Sequence, residues 1–202
     1  MIAETERLCV KLNFSFVATI TLMLFLCDER IVLTSVCASF LHESGHLFFL
    51  TAFRCTPVTV ILSAFGMRIE RPSHSPLSFS KEIAVALGGI IFNILGALLF
   101  ALCGAILKNR GFRLLVAVNL LVAVINSLPN INLDAGRAFY YFLLSITEEE
   151  KAEKLMNIVS VVFALLSVAF FVFYTVFSAL NISLAVVTVY ILILTFKREV
   201  DK

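Results

Sequence analysis

The chain has 202 residues, 60% of them hydrophobic and only 15% charged, with a formal net charge of +2 and a mean hydropathy of +1.01. Soluble domains run at about 45–50% apolar and about 25% charged, and a globule this small has too little interior to hide the excess. A soluble enzyme, a disordered regulator and a disulfide-rich secreted module are excluded as readings of the whole chain, and the small charge without a basic run excludes nucleic acid as a partner. What remains is an all-α polytopic membrane protein.

Six apolar segments are predicted in chain order. The first, residues 8–26, stops at Asp28-Glu29-Arg30; residues 1–7 carry Glu4 and Glu6 rather than a basic leader, so it is expected to be an uncleaved span. A tight turn leads to the second, residues 31–53. Residues 54–80 are more polar and hold Pro57, Pro72 and Pro76. Within them, 58–60 and 65–70 alternate apolar and polar residues, the period of short β-strands. The third span covers 83–107 and closes at Lys108-Asn109-Arg110-Gly111. The fourth begins near Leu114 and breaks at Pro129, and a helix is expected from Ala135 to about Ile146. Residues 155–177 and 179–196 form the last two spans. No repeat or linker divides the chain, so residues 1–202 read as a single transmembrane domain. The five cysteines (Cys9, Cys27, Cys37, Cys55 and Cys103) form no CxxC pair and read as small packing residues.

With six spans, both termini share a side with segments 54–80 and 130–154. That side carries twelve of the sixteen Lys and Arg residues, which places both termini in the cytoplasm of a multi-pass cell-membrane protein.

The second span contains the chemistry. Its apolar run is interrupted by His42-Glu43-Ser44-Gly45-His46, and ionisable groups inside a span are functional suspects by default. His42 and His46 are four residues apart, hence on one face of a helix, a spacing that lets two imidazoles hold one zinc ion. Glu43 sits about 100° round the helix from His42, where it can reach a water at the metal without ligating the metal itself. As a general base it would take the proton from that water and later pass it to a leaving amine. Two of the three histidines of the chain fall in this motif. The bland alternative is a set of buried polar groups satisfied by neighbouring helices.

A zinc site needs a third protein ligand. His74 is one candidate, in the Pro-rich polar segment. Asp134 is the better one, because Pro129 should leave irregular backbone near membrane depth, and such backbone is tolerated only where it is buried in protein or lines a polar cavity. Asp134 could instead cap the helix that follows it. The second and fourth spans run in the same direction, so their C-terminal portions approach the same side.

The two motifs together, HESGH in one span and Asn126-x-x-Pro129-x-x-x-Leu133-Asp134-x-Gly136-Arg137 after a later one, resemble the site-2 proteases, a family of intramembrane zinc metalloproteases. Gly88-Gly89-Ile90-Ile91-Phe92-Asn93 resembles that family's Gly-Pro-x-x-Asn patch, with Ile90 where proline is usual, and Ala135 stands where the family has the first glycine of Leu-Asp-Gly-Gly. The resemblance covers residues 30–140. It implies His42, His46 and Asp134 as Zn2+ ligands, Glu43 as the catalytic base, Asn93 near the substrate backbone, and membrane-associated strands between the second and third spans. The implied activity is hydrolysis of a peptide bond in or beside a transmembrane segment of a membrane-protein substrate. Such a substrate could be a membrane-bound transcription factor precursor, an anti-sigma factor or a remnant signal peptide. The short chain most resembles the minimal bacterial members related to the sporulation protease that processes a pro-sigma factor, which would place it in a bacterial inner membrane. An exposed strand edge would suit such an enzyme, since cleavage needs an extended peptide. Two other classes are a catalytically silent scaffold of the same fold and a metal or proton transporter. The intact motif set argues against the first. The lack of ionisable groups in the third, fifth and sixth spans argues against the second.

Overall fold

The computed structural model describes residues 8–55, 58–63, 66–70, 77–177 and 181–196. The elements run β1 (Leu8–Leu12), α1 (Phe14–Leu26), α2 (Glu29–Ala52), β2 (Val58–Ser63), β3 (Gly66–Glu70), α3 (Phe79–Ile106), α4 (Phe112–Asn126), α5 (Asp134–Ile146), α6 (Glu149–Phe177) and α7 (Ile182–Phe196). They divide into two compact units, Met1–Ile125 and Asn126–Lys202.

In the first unit, α2 starts where the sequence provides a cap. The Asp28 carboxylate accepts the Arg30 N–H at 2.8 Å and Glu29 lies in the first turn, both favourable at the positive end of a helix. The helix then runs unbroken through the HESGH motif to Ala52. It closes with Arg54 in the left-handed region (φ 57°) and the Cys55 N–H on the Leu50 carbonyl at 2.9 Å. Leu50 and Cys55 are buried and pack with Leu47, Ile69, Leu77 and Val85, joining α2, β3 and the start of α3 in one apolar cluster.

Helix α3 packs along α2 through small residues. A Cβ on Gly45 would strike the Gly88 carbonyl, and a Cβ on Gly96 would strike Leu41. Two helices can come this close only where side chains are missing from the contact, the usual device when lipid offers no hydrophobic drive to association. The outer flank of α3 (Ile91, Ile94, Leu95, Leu98, Leu99 and Leu102) is 40–62% exposed and entirely apolar.

The strands predicted at 58–60 and 65–70 are present as β2 and β3, an antiparallel pair with Val60 opposite Ile69; Phe65 lies outside the described residues. A third strand was not expected. Residues 8–12, read as the start of the first span, form β1, parallel to β2 with Leu8 opposite Val58 and Leu12 opposite Leu62. Leu-Cys-Val-Lys-Leu runs straight into the apolar stretch after it, so hydropathy alone merges strand and helix. The consequence is that α1 has 13 residues, fewer than the ~20 needed to cross a bilayer unaided.

In the second unit, α5 and α7 pack on α6. Helix α6 begins at Glu149, six residues before the expected Leu155, because its charged first turns are good helix formers. Lys151 pairs with Glu148 at 3.0 Å and Lys154 with Glu150 at 2.7 Å, spacings that support a helix surface. The loop before α5 is fastened to α7: Asn130 Nδ2 donates to Thr195 Oγ1 at 3.0 Å and Asn132 Nδ2 to the Leu194 carbonyl at 2.8 Å.

Among the described residues, α3 and α6 are long and apolar enough to cross a membrane; α1, α4 and residues 184–196 are shorter apolar helices. No disulfide joins the described cysteines, and Cys27 and Cys37 are exposed rather than packed between helices.

Candidate metal centre

The motif histidines lie one turn apart on α2, both facing α3. His42 is buried and donates from Nδ1 to Asn93 Oδ1 at 2.6 Å. His46 donates from Nδ1 to the Val85 carbonyl at 2.7 Å. A carbonyl oxygen can only accept, so the His46 proton sits on Nδ1 and its Nε2 keeps a lone pair. The two Nε2 atoms face each other at 3.3 Å. Two neutral lone pairs at that distance repel unless a cation lies between them. Two nitrogens each about 2.0–2.1 Å from a tetrahedral zinc stand about 3.3 Å apart. Hydrogen bonding of the far ring nitrogen to a protein acceptor is also what fixes a metal-binding histidine in its ligating tautomer. On donor chemistry and spacing, the pair fits the implied zinc.

Space for the rings comes from α3. A Cβ on Gly89 would lie 2.5 Å from His42 Cε1, 2.6 Å from His42 Nε2 and 2.6 Å from His46 Nε2. Any other residue at position 89 would drive both rings off their present positions. Glu43 follows His42 on the same helix and is partly buried.

Asn93 is fully buried, and both ends of its amide are engaged by protein. Oδ1 accepts from His42, and Nδ2 donates to the Ala38 carbonyl at 3.0 Å and to Asn119 Oδ1 at 2.9 Å. Asn119, from α4, is equally buried and donates its own Nδ2 to the Leu115 carbonyl at 2.8 Å.

Asp134 lies in the second unit. It is buried and is the first residue of α5; the N-cap position belongs to Leu133, which makes no side-chain cap bond. The preceding loop is shaped by Pro129 and by Asn130, whose carbonyl accepts the Leu133 N–H at 2.9 Å and whose Oδ1 accepts the Asn132 N–H at 3.0 Å. Gly136 rests on Asn130: a Cβ there would run into the Asn130 carbonyl and stand 2.9 Å from its nitrogen. His74 lies outside the described residues.

The structure thus brings His42, His46 and Asn93 together as a connected group, with Glu43 beside them. Three participants were not found by sequence reasoning: the Val85 carbonyl, the bare surface of Gly89 toward the rings, and Asn119. A backbone acceptor carries no sequence signal. Asn119 does carry one, as a lone amide in an apolar stretch, but its meaning depends on knowing that α4 lies against Asn93.

No protein-family profile matches the chain, and no curated protein sequence matches it. Among solved structures, it is similar to a site-2 protease from Methanocaldococcus jannaschii: the TM-score is 0.67, 97% of this chain and 93% of that one are covered, and 14% of residues are identical. At that identity the likeness is one of fold.

Proposed function

We propose that this protein is an intramembrane zinc metalloendopeptidase of the site-2 protease kind, with His42, His46 and Asp134 as the metal ligands and Glu43 as the catalytic base. The observation that carries the reading is the histidine pair: two imidazoles with both Nδ1 atoms committed as donors and their Nε2 atoms 3.3 Å apart. The whole-chain likeness to a site-2 protease fold supports it from a separate direction.

Bound zinc would supply a Lewis acid that polarises the scissile carbonyl and lowers the pKa of water toward about 7. The residues of the chain would do the rest. His42 and His46 hold their rings fixed through Asn93 and Val85. Glu43 accepts the proton of the attacking water on its carboxylate and returns it to the amine of the departing peptide, a role worth about 10²–10⁴-fold in rate. Among the described residues β3 pairs only with β2, and its other edge offers backbone groups to which an extended substrate segment could add as a further strand.

The substrate class is a membrane protein cut in or near a transmembrane segment, and the chain itself is read as multi-pass with both termini cytoplasmic. Its apolar exterior supports that setting: Phe170, Phe173, Val176 and Phe177 at the end of α6 are each more than half exposed, a surface suited to lipid rather than water.

The test has two arms. Zinc content per purified chain in mild detergent should be about one for the wild type and strongly reduced for Asp134→Asn. Quantitative mapping of new protein termini in membranes of cells producing either wild type or Glu43→Gln should reveal termini specific to the wild type that map within or beside transmembrane segments. Folded protein without zinc in either form would move the weight to a silent scaffold; metal flux in vesicles without any new termini would favour a transporter.

A further inference from the structure

We infer that Asn119 is a positioning residue for the metal centre: it acts through Asn93 to keep the His42 proton on Nδ1 and so keep the Nε2 lone pair available. The inference rests on the metalloprotease reading and extends it to a residue on α4 outside the motifs that suggested it.

The argument is one of hydrogen-bond direction. The Leu115 carbonyl can only accept, so the Asn119 atom 2.8 Å from it is Nδ2 and the Asn119 atom facing Asn93 is the acceptor Oδ1. The Ala38 carbonyl can only accept as well, so the amide end of Asn93 that reaches both Ala38 and Asn119 is Nδ2, with one N–H for each. Its other end, 2.6 Å from His42, is then Oδ1, and His42 Nδ1 must carry the proton. A backbone carbonyl of α2 and one of α4 thus dictate the tautomer of a side chain neither of them touches. Both asparagines are 0% exposed, so water is not at hand to replace a lost partner.

Asn119 is the replaceable part of this relay. Ala38 contributes a backbone atom that no substitution removes, and it occupies one Asn93 N–H. The other N–H has Asn119 as its acceptor. Without Asn119, that N–H is stranded in a dry interior, the amide has one anchor instead of two, and the orientation that presents Oδ1 to His42 is no longer firmly held. Partners behind a metal-binding histidine typically matter by 10–100-fold in affinity. Asn119 stands one bond further back, and about tenfold is expected.

The experiment uses the full chain in detergent with ¹⁵N-labelled histidine; three histidines keep the spectrum simple. In metal-free wild type, His42 should carry its proton on Nδ1. In Asn119→Leu, the Nε2-protonated form of His42 should appear and zinc affinity should drop about tenfold. In Asn119→Asp, a buried carboxyl kept neutral can accept from Asn93 and donate to Leu115, so the tautomer and the affinity should both return. A folded Asn119→Leu protein with His42 still protonated on Nδ1 and zinc affinity within twofold of wild type overturns the inference. If Asn119→Leu does not fold, Asn119→Ala is held to the same two criteria. The tautomer is read without metal or proteolysis, so the two ideas fail separately. A tautomer shift in a protein that never binds zinc upholds the relay and sinks the metalloprotease reading. A protein that binds zinc, with both the His42 tautomer and the zinc affinity indifferent to position 119, sinks the relay and leaves the metalloprotease reading standing.

Discussion

Gly45 and Gly88 cross with their backbones in contact: a Cβ on Gly88 would stand 2.7 Å from the Gly45 carbonyl oxygen and 2.8 Å from a ring carbon of Phe49. Gly45 lies inside the HESGH motif, so this backbone contact of α2 and α3 falls between the two histidines. That crossing sets the register at which α3 presents Val85 to His46 and Asn93 to His42. The middle of the motif is thus a packing element, and its two ends carry the histidine pair.

Gly88→Ala should therefore damage the scaffold before the chemistry. The added methyl meets backbone, which cannot rotate away, and overpacking of this kind costs about 1–3 kcal/mol. Thermal unfolding in detergent should move down by several degrees, with zinc and stability lost together.

Gly89→Ala should separate the two. Its methyl would meet imidazole atoms rather than backbone. The rings are tied at Nδ1 and can yield only by giving up those bonds. Zinc affinity is expected to fall at least tenfold, by about the scale of a disturbed ligand shell, while helix content and melting temperature stay near wild type. Equal zinc binding by Gly89→Ala would mean that the rings have slack, and the fit described for the pair would be wrong.

Glu43→Gln should retain zinc and lose turnover by about 10²–10⁴-fold, the usual contribution of a general base. Metal analysis and the appearance of cleaved termini, measured on the same preparations, check both halves. Cleavage at the wild-type rate by Glu43→Gln would remove Glu43 from the mechanism.

The loop ahead of Asp134 gives a paired prediction. Gly136→Ala pushes a methyl into the Asn130 carbonyl and should displace the loop, lowering zinc content as strongly as a ligand substitution does. Ala135→Gly should be nearly silent, costing about 1 kcal/mol or less of helix stability. Position 136, which is glycine here, is the one whose Cβ would meet the Asn130 backbone.

Much of the candidate site was legible because its chemistry is unusual for its surroundings. His42, Glu43 and His46 stand out in an apolar span, and Pro129 announces the break before Asp134. The α3 partner was legible through Gly88, Gly89 and Asn93 as a resemblance, but its physical role was not. The sequence cannot tell that one glycine faces backbone and the next faces the rings, since both have the same signature. Asn93 was expected near the substrate; its contacts in the fold are with His42, Ala38 and Asn119. Helix boundaries were recovered to within a few residues except at 8–12 and 149–154. There a strand hid in an apolar run, and a charged run proved helical. In both places pairing outweighed hydropathy, a long-range one with β2 in the first and one between Lys and Glu a turn apart in the second.

Strand β1 has a bearing on how the chain reaches its fold. Its partner in parallel register begins fifty residues later, with α1 and α2 intervening, so Leu8 must wait for Val58 to be synthesised before it can pair. Contacts between such distant residues close slowly. The strand that is translated first among these elements can thus meet its partner only after the helix bearing the histidines has been synthesised. Until then residues 8–12 have no β2 to pair with. The sheet edge formed by β1 thus closes a stretch of chain that already contains two helices, α1 and α2.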